Sequence, residues 1–157
     1  MDAEEARARE CGLRLLARRD HSSADLARKL RQRGFATELI AGILAWFTEA
    51  GYLDDRRYAE RWAESALASG RGYGNRLRLE LQQRGVSREL AAEVAASKCE
   101  GHDETAALMA LVERKFPGFD PRTAQDRERR RVYAHLQRRG FSGSAIAGFF
   151  RGDLECL

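Results

Sequence analysis

One short phrase occurs three times along this chain, each time at the end of a basic segment. In each copy a leucine is followed by polar residues that include arginine, then by glycine and an apolar residue. The copies are Leu30-Arg31-Gln32-Arg33-Gly34-Phe35, Leu81-Gln82-Gln83-Arg84-Gly85-Val86 and Leu136-Gln137-Arg138-Arg139-Gly140-Phe141. The glycines are 51 and 55 residues apart. Self-similarity at this period is typical of one supersecondary unit stacked in tandem, in which neighbouring units bury each other's apolar faces.

Aligning the chain on the three glycines shows that the apolar pattern repeats as well. Positions eight and four before each glycine, and one and nine after it, are apolar in every copy. They are Leu26, Leu30, Phe35 and Ile43; Leu77, Leu81, Val86 and Val94; and Val132, Leu136, Phe141 and Phe149. Spacings of four and eight follow one face of a helix. We therefore predict three tandem three-helix units, at residues 1–51, 52–100 and 101–157.

Composition and local signals support an all-α fold. The 157 residues are 33% charged and include only two prolines, and no segment has the alternating apolar pattern of a strand. Ser22, Thr37, Asp54 and Ser87 are predicted to cap helices, because their side chains accept hydrogen bonds from free N–H groups of a first turn. A final helix is predicted after Ser142. We also predict helices over Ala3–Arg19, His102–Phe116 and Thr123–Arg139. The glycine-rich linker 69–74 is predicted to be a flexible hinge.

The residues lack the patterns of an enzyme. The three cysteines and three histidines are scattered, which argues against a disulfide framework or a metal site, and we expect no cofactor. Gly70-Arg71-Gly72-Tyr73-Gly74 resembles a phosphate-binding loop only in glycine content, since it lacks the preceding strand and the Lys-Ser/Thr pair. With no signal peptide and no long apolar run, the sequence predicts a soluble, cytoplasmic, non-enzymatic monomer without a membrane partner.

Positive charge is concentrated in the middle helix of each unit. The whole chain has a formal net charge of +4, yet residues 25–35, 71–84 and 122–139 together hold 15 Lys and Arg against 4 Asp and Glu. Helical projection places nine basic side chains beside or opposite the leucine-bearing face: Arg28, Lys29, Arg31, Arg76, Arg78, Arg127, Arg130, Arg131 and Arg138. Such a guanidinium-rich surface suits carboxylates or phosphates. We predict that these nine residues bind a partner.

Other prominent residues have simpler interpretations. Arg33, Arg84 and Arg139 precede the turn glycines, where a cation interacts favourably with a helix C-terminus. Trp46, Phe47, Trp62 and Phe116 are interpreted as packing residues, and His21 and His135 as surface residues.

The helix–glycine–helix pattern also resembles a helix-turn-helix, but the helix that would read bases (Thr37–Ala50) has no Lys or Arg and carries Glu38 and Glu49. Sequence-specific base reading is therefore not expected.

With these features in place, the chain resembles the bacterial RecX family, whose members regulate the RecA recombinase. The resemblance covers about residues 12–150. It is carried by the stretches Leu16-Ala17-Arg18-Arg19-Asp20-His21-Ser22-Ser23-Ala24-Asp25-Leu26, Gly51-Tyr52-Leu53-Asp54-Asp55-Arg56-Arg57-Tyr58-Ala59, Arg76-Leu77-Arg78-Leu79-Glu80-Leu81, Arg84-Gly85-Val86, Arg114-Lys115-Phe116 and Leu136-Gln137-Arg138-Arg139-Gly140-Phe141-Ser142.

This resemblance implies an elongated, curved array that lies in the groove of the RecA–single-stranded-DNA filament and restrains DNA repair and recombination activities. One departure concerns the loop of the second unit, where Tyr73-Gly74 replace a proline that is common in the family, which is expected to loosen the hinge. Two alternatives remain open. One is a sequence-independent protein that binds single- or double-stranded DNA phosphates without RecA, and the other is a helical-repeat scaffold for a different acidic protein.

Overall fold

The computed structural model describes residues 2–152, and within that range the protein is all-α, as predicted. The helices of the first unit are α1 (Ala3–Leu16), α2 (Ser23–Arg31) and α3 (Thr37–Glu49). Those of the second are α4 (Asp55–Ala68), α5 (Gly74–Gln83) and α6 (Arg88–Glu100), and those of the third are α7 (Glu104–Lys115), α8 (Asp126–Arg139) and α9 (Gly143–Arg151). The unit boundaries given above stay a prediction.

Side-chain caps explain where most of these helices begin. Ser22, Asp54, Ser87, Asp103 and Ser142 each accept a hydrogen bond from the backbone N–H three residues on, at 3.2, 2.9, 3.3, 3.0 and 3.2 Å. The prediction for Thr37 is wrong, because Ala36 is the N-cap there and has no capping side chain. The predicted end of α1 and the predicted starts of α7 and α8 are also off by two or three residues, as is usual for helix boundaries.

The three repeated glycines have nearly the same left-handed backbone conformation. Their φ angles are +87° at Gly34, +89° at Gly85 and +92° at Gly140. Only glycine adopts this region without a steric cost. Each one therefore ends its middle helix and turns the chain into the following helix.

The twelve aligned apolar positions form the interior, since all are buried except Phe35 and Phe149, which are half-buried. They belong to two apolar clusters and not to three. One cluster contains the buried residues of the first unit together with Leu53. The other runs without interruption through the second and third units, from Tyr58 to Ile146. The second and third units thus share one core.

The middle helices meet end to end. A Cβ built on Gly140 would lie 2.1 Å from the Tyr73 carbonyl oxygen, so the C-terminus of α8 abuts the N-terminus of α5. A Cβ on Gly85 would lie 2.6 Å from the Cβ of Ala24, so the C-terminus of α5 abuts the N-terminus of α2. Hydrogen bonds close both joints: the Tyr73 N–H donates to the Arg139 carbonyl (2.8 Å) and the Ser22 hydroxyl to the Arg84 carbonyl (2.5 Å).

The linker expected to be a loose hinge is packed. Tyr73 is only 9% exposed, and its ring stacks on Phe141 with the ring centres 5.3 Å apart. Its hydroxyl donates to the carbonyl of Cys99 or of His102, at 3.2 and 3.3 Å. Burial, with nearby acidic groups, raises the pKa of Tyr73 to about 12. Tyr73 therefore fixes the joint between the second and third units.

Candidate partner-binding surface

The basic face consists of the nine residues predicted to bind a partner. The structure places three of them on α2, two on α5 and four on α8. All are exposed except Lys29 and Arg78, which are half-buried. Leu26, Leu77 and Val132 are buried, and so is the leucine one helical turn after each of them. Each middle helix therefore directs its arginines away from the core.

The α8 part of the basic face has the most available charge. Arg127, Arg130 and Arg138 form no ion pair with any residue of the described range 2–152. The Arg131 guanidinium lies 5.6 Å from the centre of the Phe116 ring, which holds it beside the other three through a cation–π contact. Four guanidinium groups on one exposed helix side form a surface that attracts anions.

On α2 and α5, part of the basic face is already engaged. Arg28 pairs with Asp25, and Arg76 pairs with Glu80 at 2.7 Å. Arg78 donates twice to the Asn75 side-chain oxygen, at 3.0 and 2.7 Å. The Arg28 and Arg76 side chains nevertheless stay 55% and 46% exposed. These arginines are therefore oriented by their neighbours and still able to contact an anion.

The two joints bring parts of the basic face close to other arginines. A Cβ on Gly140 would lie 2.7 Å from the Cβ of Arg76, so Arg76 borders the C-terminal end of α8. At the other joint, Arg28 and Arg84 line one open cleft together with Arg19 and Asp25. Because the middle helices meet end to end, the basic residues of each helix lie close to those of the next.

His135 reports the positive potential of α8. Burial lowers its pKa first, and the charges of Arg139, Arg138, Lys115 and Arg131 lower it further. The Nε2 atom of His135 is buried and has no hydrogen-bond partner in the described chain. Burial, together with the surrounding cations, therefore favours the neutral imidazole.

The arginines before the turn glycines have three different roles. Arg33 donates to the Lys29 carbonyl at 3.2 Å, which is the predicted capping interaction. Arg84 instead lies over the Trp62 ring, 4.5 Å from its centre. Arg139 donates to the Arg71 carbonyl at 3.0 Å and so bridges the second and third units.

His21 is the main residue that sequence reasoning placed wrongly. It is 4% exposed, not a surface residue, and its Nδ1 lies 2.6 Å from Asp25 Oδ2. Burial raises the pKa of Asp25, but hydrogen bonds from His21 and Arg28 outweigh it and hold that pKa below its usual value. Sequence reasoning also missed Tyr133, which is 41% exposed at the edge of the α8 arginines.

Two kinds of site are absent from the part of the chain that the structure describes. No helix among residues 2–152 is both long and apolar enough to cross a bilayer. Within the same residues, no three His, Cys, Asp or Glu side chains are grouped so that they could hold a metal ion.

Fold and surface together define a class: a tandem array of three-helix units with a basic face along its middle helices. Family models for the first, second and third three-helix domains of RecX match residues 8–47, 54–94 and 102–150. The chain therefore belongs to the RecX family.

Individual relatives agree with this assignment. The regulatory protein RecX of Trichlorobacter lovleyi is 42% identical over 88% of this chain and 90% of its own, and that of Syntrophotalea carbinolica is 36% identical over the same shares. The crystal structure of RecX from Lactobacillus salivarius has a TM-score of 0.74 at 15% identity, covering 95% of this chain and 96% of its own. At that identity the match supports the fold alone.

Proposed function

We propose that this protein is a cytoplasmic, monomeric, non-enzymatic inhibitor of the RecA recombinase that binds in the groove of the RecA–single-stranded-DNA filament. Its membership in a family of regulatory proteins motivates the choice of RecA. The observation that carries the site is the set of exposed arginines on α8, three of which have no ion-pair partner within residues 2–152.

The arrangement suits such a groove for an electrostatic reason. A filament of protein on single-stranded DNA presents carboxylates and phosphates along its length, and guanidinium groups bind both in bidentate geometry. The three basic segments are connected at the helix joints, so one molecule contacts several acidic groups at once. Binding of this kind restrains filament growth and ATP hydrolysis by holding neighbouring RecA subunits together.

The test reverses charge where the basic face is most available. Arg127, Arg130 and Arg131 are changed together to glutamate, and RecA ATP hydrolysis on single-stranded DNA is measured as the protein is titrated. Because like charges placed opposite each other are strongly unfavourable, we expect the concentration for half-maximal inhibition to rise on the order of tenfold or more. Circular dichroism should show unchanged helicity.

A matched control carries the same charge change away from the middle helices. Arg56, Arg57 and Arg88 are exposed, and their combined change to glutamate should leave inhibition near the wild-type value. If the α8 variant inhibits as well as the wild type does, or if both variants lose inhibition equally, the assignment of these residues is wrong.

The second candidate is a protein that binds nucleic-acid phosphates without RecA, favoured by the same unpaired arginines. In that case, affinity for single- and double-stranded DNA should be high without RecA and fall steeply with salt, since counterion release dominates such binding. Salt-titrated binding with and without RecA separates the two functions. Strong binding to bare DNA, with no further gain on RecA filaments, would favour the second candidate.

A further inference from the structure

The first unit lacks the neighbour that covers the equivalent surface of the other two. Gly85 presses against Ser22 and Ala24, and Gly140 presses against Tyr73 and Arg76. Gly34 has the same backbone conformation, but a Cβ built on it would meet no atom of residues 2–152 within 4 Å. At each internal joint, the glycine turn of one middle helix packs against the N-terminus of another. The Gly34 turn is the same kind of surface, but no helix N-terminus of the described chain covers it.

The hydrogen-bonding groups show the same difference. The carbonyl before Gly85 accepts from the Ser22 hydroxyl, and the carbonyl before Gly140 accepts from the Tyr73 N–H. The equivalent carbonyl, that of Arg33, accepts no hydrogen bond from residues 2–152. An arriving N-cap would supply the missing donor.

A cleft lies beside this uncovered end. It has a volume of about 770 Å³ and a floor formed by Cys11, Leu15 and Phe35. Its rim carries Arg7, Arg14, Arg18 and Arg33, with Glu10 as the one acidic group lining it. Four arginines against one glutamate give the lining a formal charge of +3. The cleft therefore combines an apolar floor with a basic rim.

The second unit indicates why the cleft is open. Trp62 lies 51 residues after Cys11, just as Arg84 lies 51 residues after Arg33. There the indole lies under the Arg84 guanidinium, 4.5 Å from it, and fills the space beside the helix turn. In the first unit a cysteine replaces that tryptophan and leaves the floor accessible.

We propose that this cleft and the adjacent Gly34 turn dock the N-terminus of a helix from another protein, one with an acidic first turn. The internal joint defines what fits: a Ser or Thr N-cap to donate to the Arg33 carbonyl, a small residue against Gly34, and a carboxylate facing the arginine rim. Ser22 and Ala24 supply the first two features at the joint between the first and second units, and Asp25 lines the cleft there together with Arg84.

A second copy of this chain does not meet that requirement. Its α2 and α5 N-termini are already covered by Gly85 and Gly140. Its α8 N-terminus begins with Asp126-Arg127-Glu128-Arg129-Arg130-Arg131, which has a formal charge of +2. A basic helix start against a basic rim is repulsive. Of the other helix starts among residues 2–152, the N-caps Asp2, Ala36, Asp54 and Asp103 are not Ser or Thr, and Ser87 and Ser142 are followed three residues on by Leu90 and Ala145 instead of a carboxylate. The occupant is therefore a different, acidic protein.

The proposal is independent of RecA and is tested without it. The probe is a peptide with residues 20–28 of this chain, which contain the α2 first turn, followed by a helical extension of alanine and glutamine. Circular dichroism first establishes that the peptide is helical. It is then titrated into the full-length protein labelled with ¹⁵N, and backbone amide shifts are followed by NMR.

We expect saturable shifts centred on Gly34, Phe35, Cys11 and Leu15. Changing Arg7 and Arg18 together to glutamate should weaken binding roughly tenfold, as like charges then face the acidic turn. Arg88 and Lys115, exposed and outside the cleft, provide the matched double reversal, which should leave binding unchanged. A control peptide with Asp25→Lys and Ala24→Val should not bind.

Three results would overturn the proposal. The first is the absence of shifts at Gly34 with a peptide shown to be helical. The second is equal binding of the control peptide or of the Arg7 and Arg18 variant. The third is the appearance of the same shifts on concentrating the protein alone, which would make a second copy the occupant. None of these results bears on RecA inhibition.

Discussion

At the scale of single residues, the turn glycines are under two separate constraints. The first is conformational and is the same at all three, because their φ angles agree within a few degrees. The second is steric and differs, because Gly140 touches the Tyr73 carbonyl whereas Gly34 faces open space. Substitution by alanine, which adds only a Cβ, separates the two constraints.

We therefore expect Gly140→Ala to destabilise the protein much more than Gly34→Ala does. A left-handed alanine costs about 1–2 kcal/mol at either position. At Gly140 the methyl group would also lie 2.1 Å from a backbone oxygen, and relieving such overpacking adds about 1–3 kcal/mol. Urea unfolding of the two variants measures the difference. Equal losses would show that the joint does not hold the third unit in place.

The sequence allowed the first constraint to be predicted but not the second. A glycine after a basic helix end, followed by an apolar residue and a Ser cap, specifies a local turn through backbone sterics alone. Contact with Tyr73 or Ser22 depends on which helix ends meet. For the same reason His21 appeared to be a surface residue: Tyr52, Arg57 and Tyr58, at and before the start of α4, line the same small cavity as His21, and they are distant from it in sequence.

At the scale of the helix, α8 concentrates charge that α2 and α5 partly neutralise. Periodicity predicted which arginines point outward, because Val132 and Leu136 fix the rotation of the helix. It did not predict that Arg28 and Arg76 would be paired while Arg127 and Arg130 are not, since pairing depends on the side-chain conformations of Asp25 and Glu80. α8 therefore presents more unpaired positive charge than α2 or α5 does.

The potential of α8 has a measurable consequence at His135. Arg138 is exposed and is one of the cations that lower the His135 pKa. Changing Arg138 to glutamate removes a repelling cation and adds an anion, so the pKa of His135 should rise toward its ordinary value. An NMR titration of the imidazole protons measures this pKa directly. The distant Arg88→Glu variant should leave it unchanged, and a rise in both variants would mean that net charge, not α8, sets the potential.

At the scale of the whole molecule, the three sequence repeats make two apolar cores. The repeated phrase predicted three equivalent units, and the helices follow that prediction. How the units share an interior could not be read from the pattern, because the same twelve apolar positions are compatible with separate or merged cores. Tyr73 and Phe141 provide the connection: their stacked rings continue the core of the second unit into the third.

The first unit has its own apolar cluster and is joined to the second by several polar contacts, so we expect it to unfold separately. Ser22 donates to the Arg84 carbonyl, the Ser23 N–H to Asp55 at 2.7 Å, and Arg61 pairs with Asp20 at 3.0 Å. Because regions with their own core open with their own free energy, native-state hydrogen exchange should show two opening free energies, with α1–α3 below α4–α9. A single value for all helices, or three distinct values, would contradict this division.

Ser22→Ala then tests what holds the first unit to the rest. The side chain is fully buried and makes two hydrogen bonds, one that caps α2 and one to the Arg84 carbonyl. Its loss leaves a joint carbonyl without a partner, which costs about 1–3 kcal/mol. We expect the opening free energy of α1–α3 to fall by this amount while the slowest-exchanging amides of α4–α9 keep their protection. An equal fall in all three units would instead mean that the array unfolds as one body, with the Ser22 joint transmitting the loss along its length.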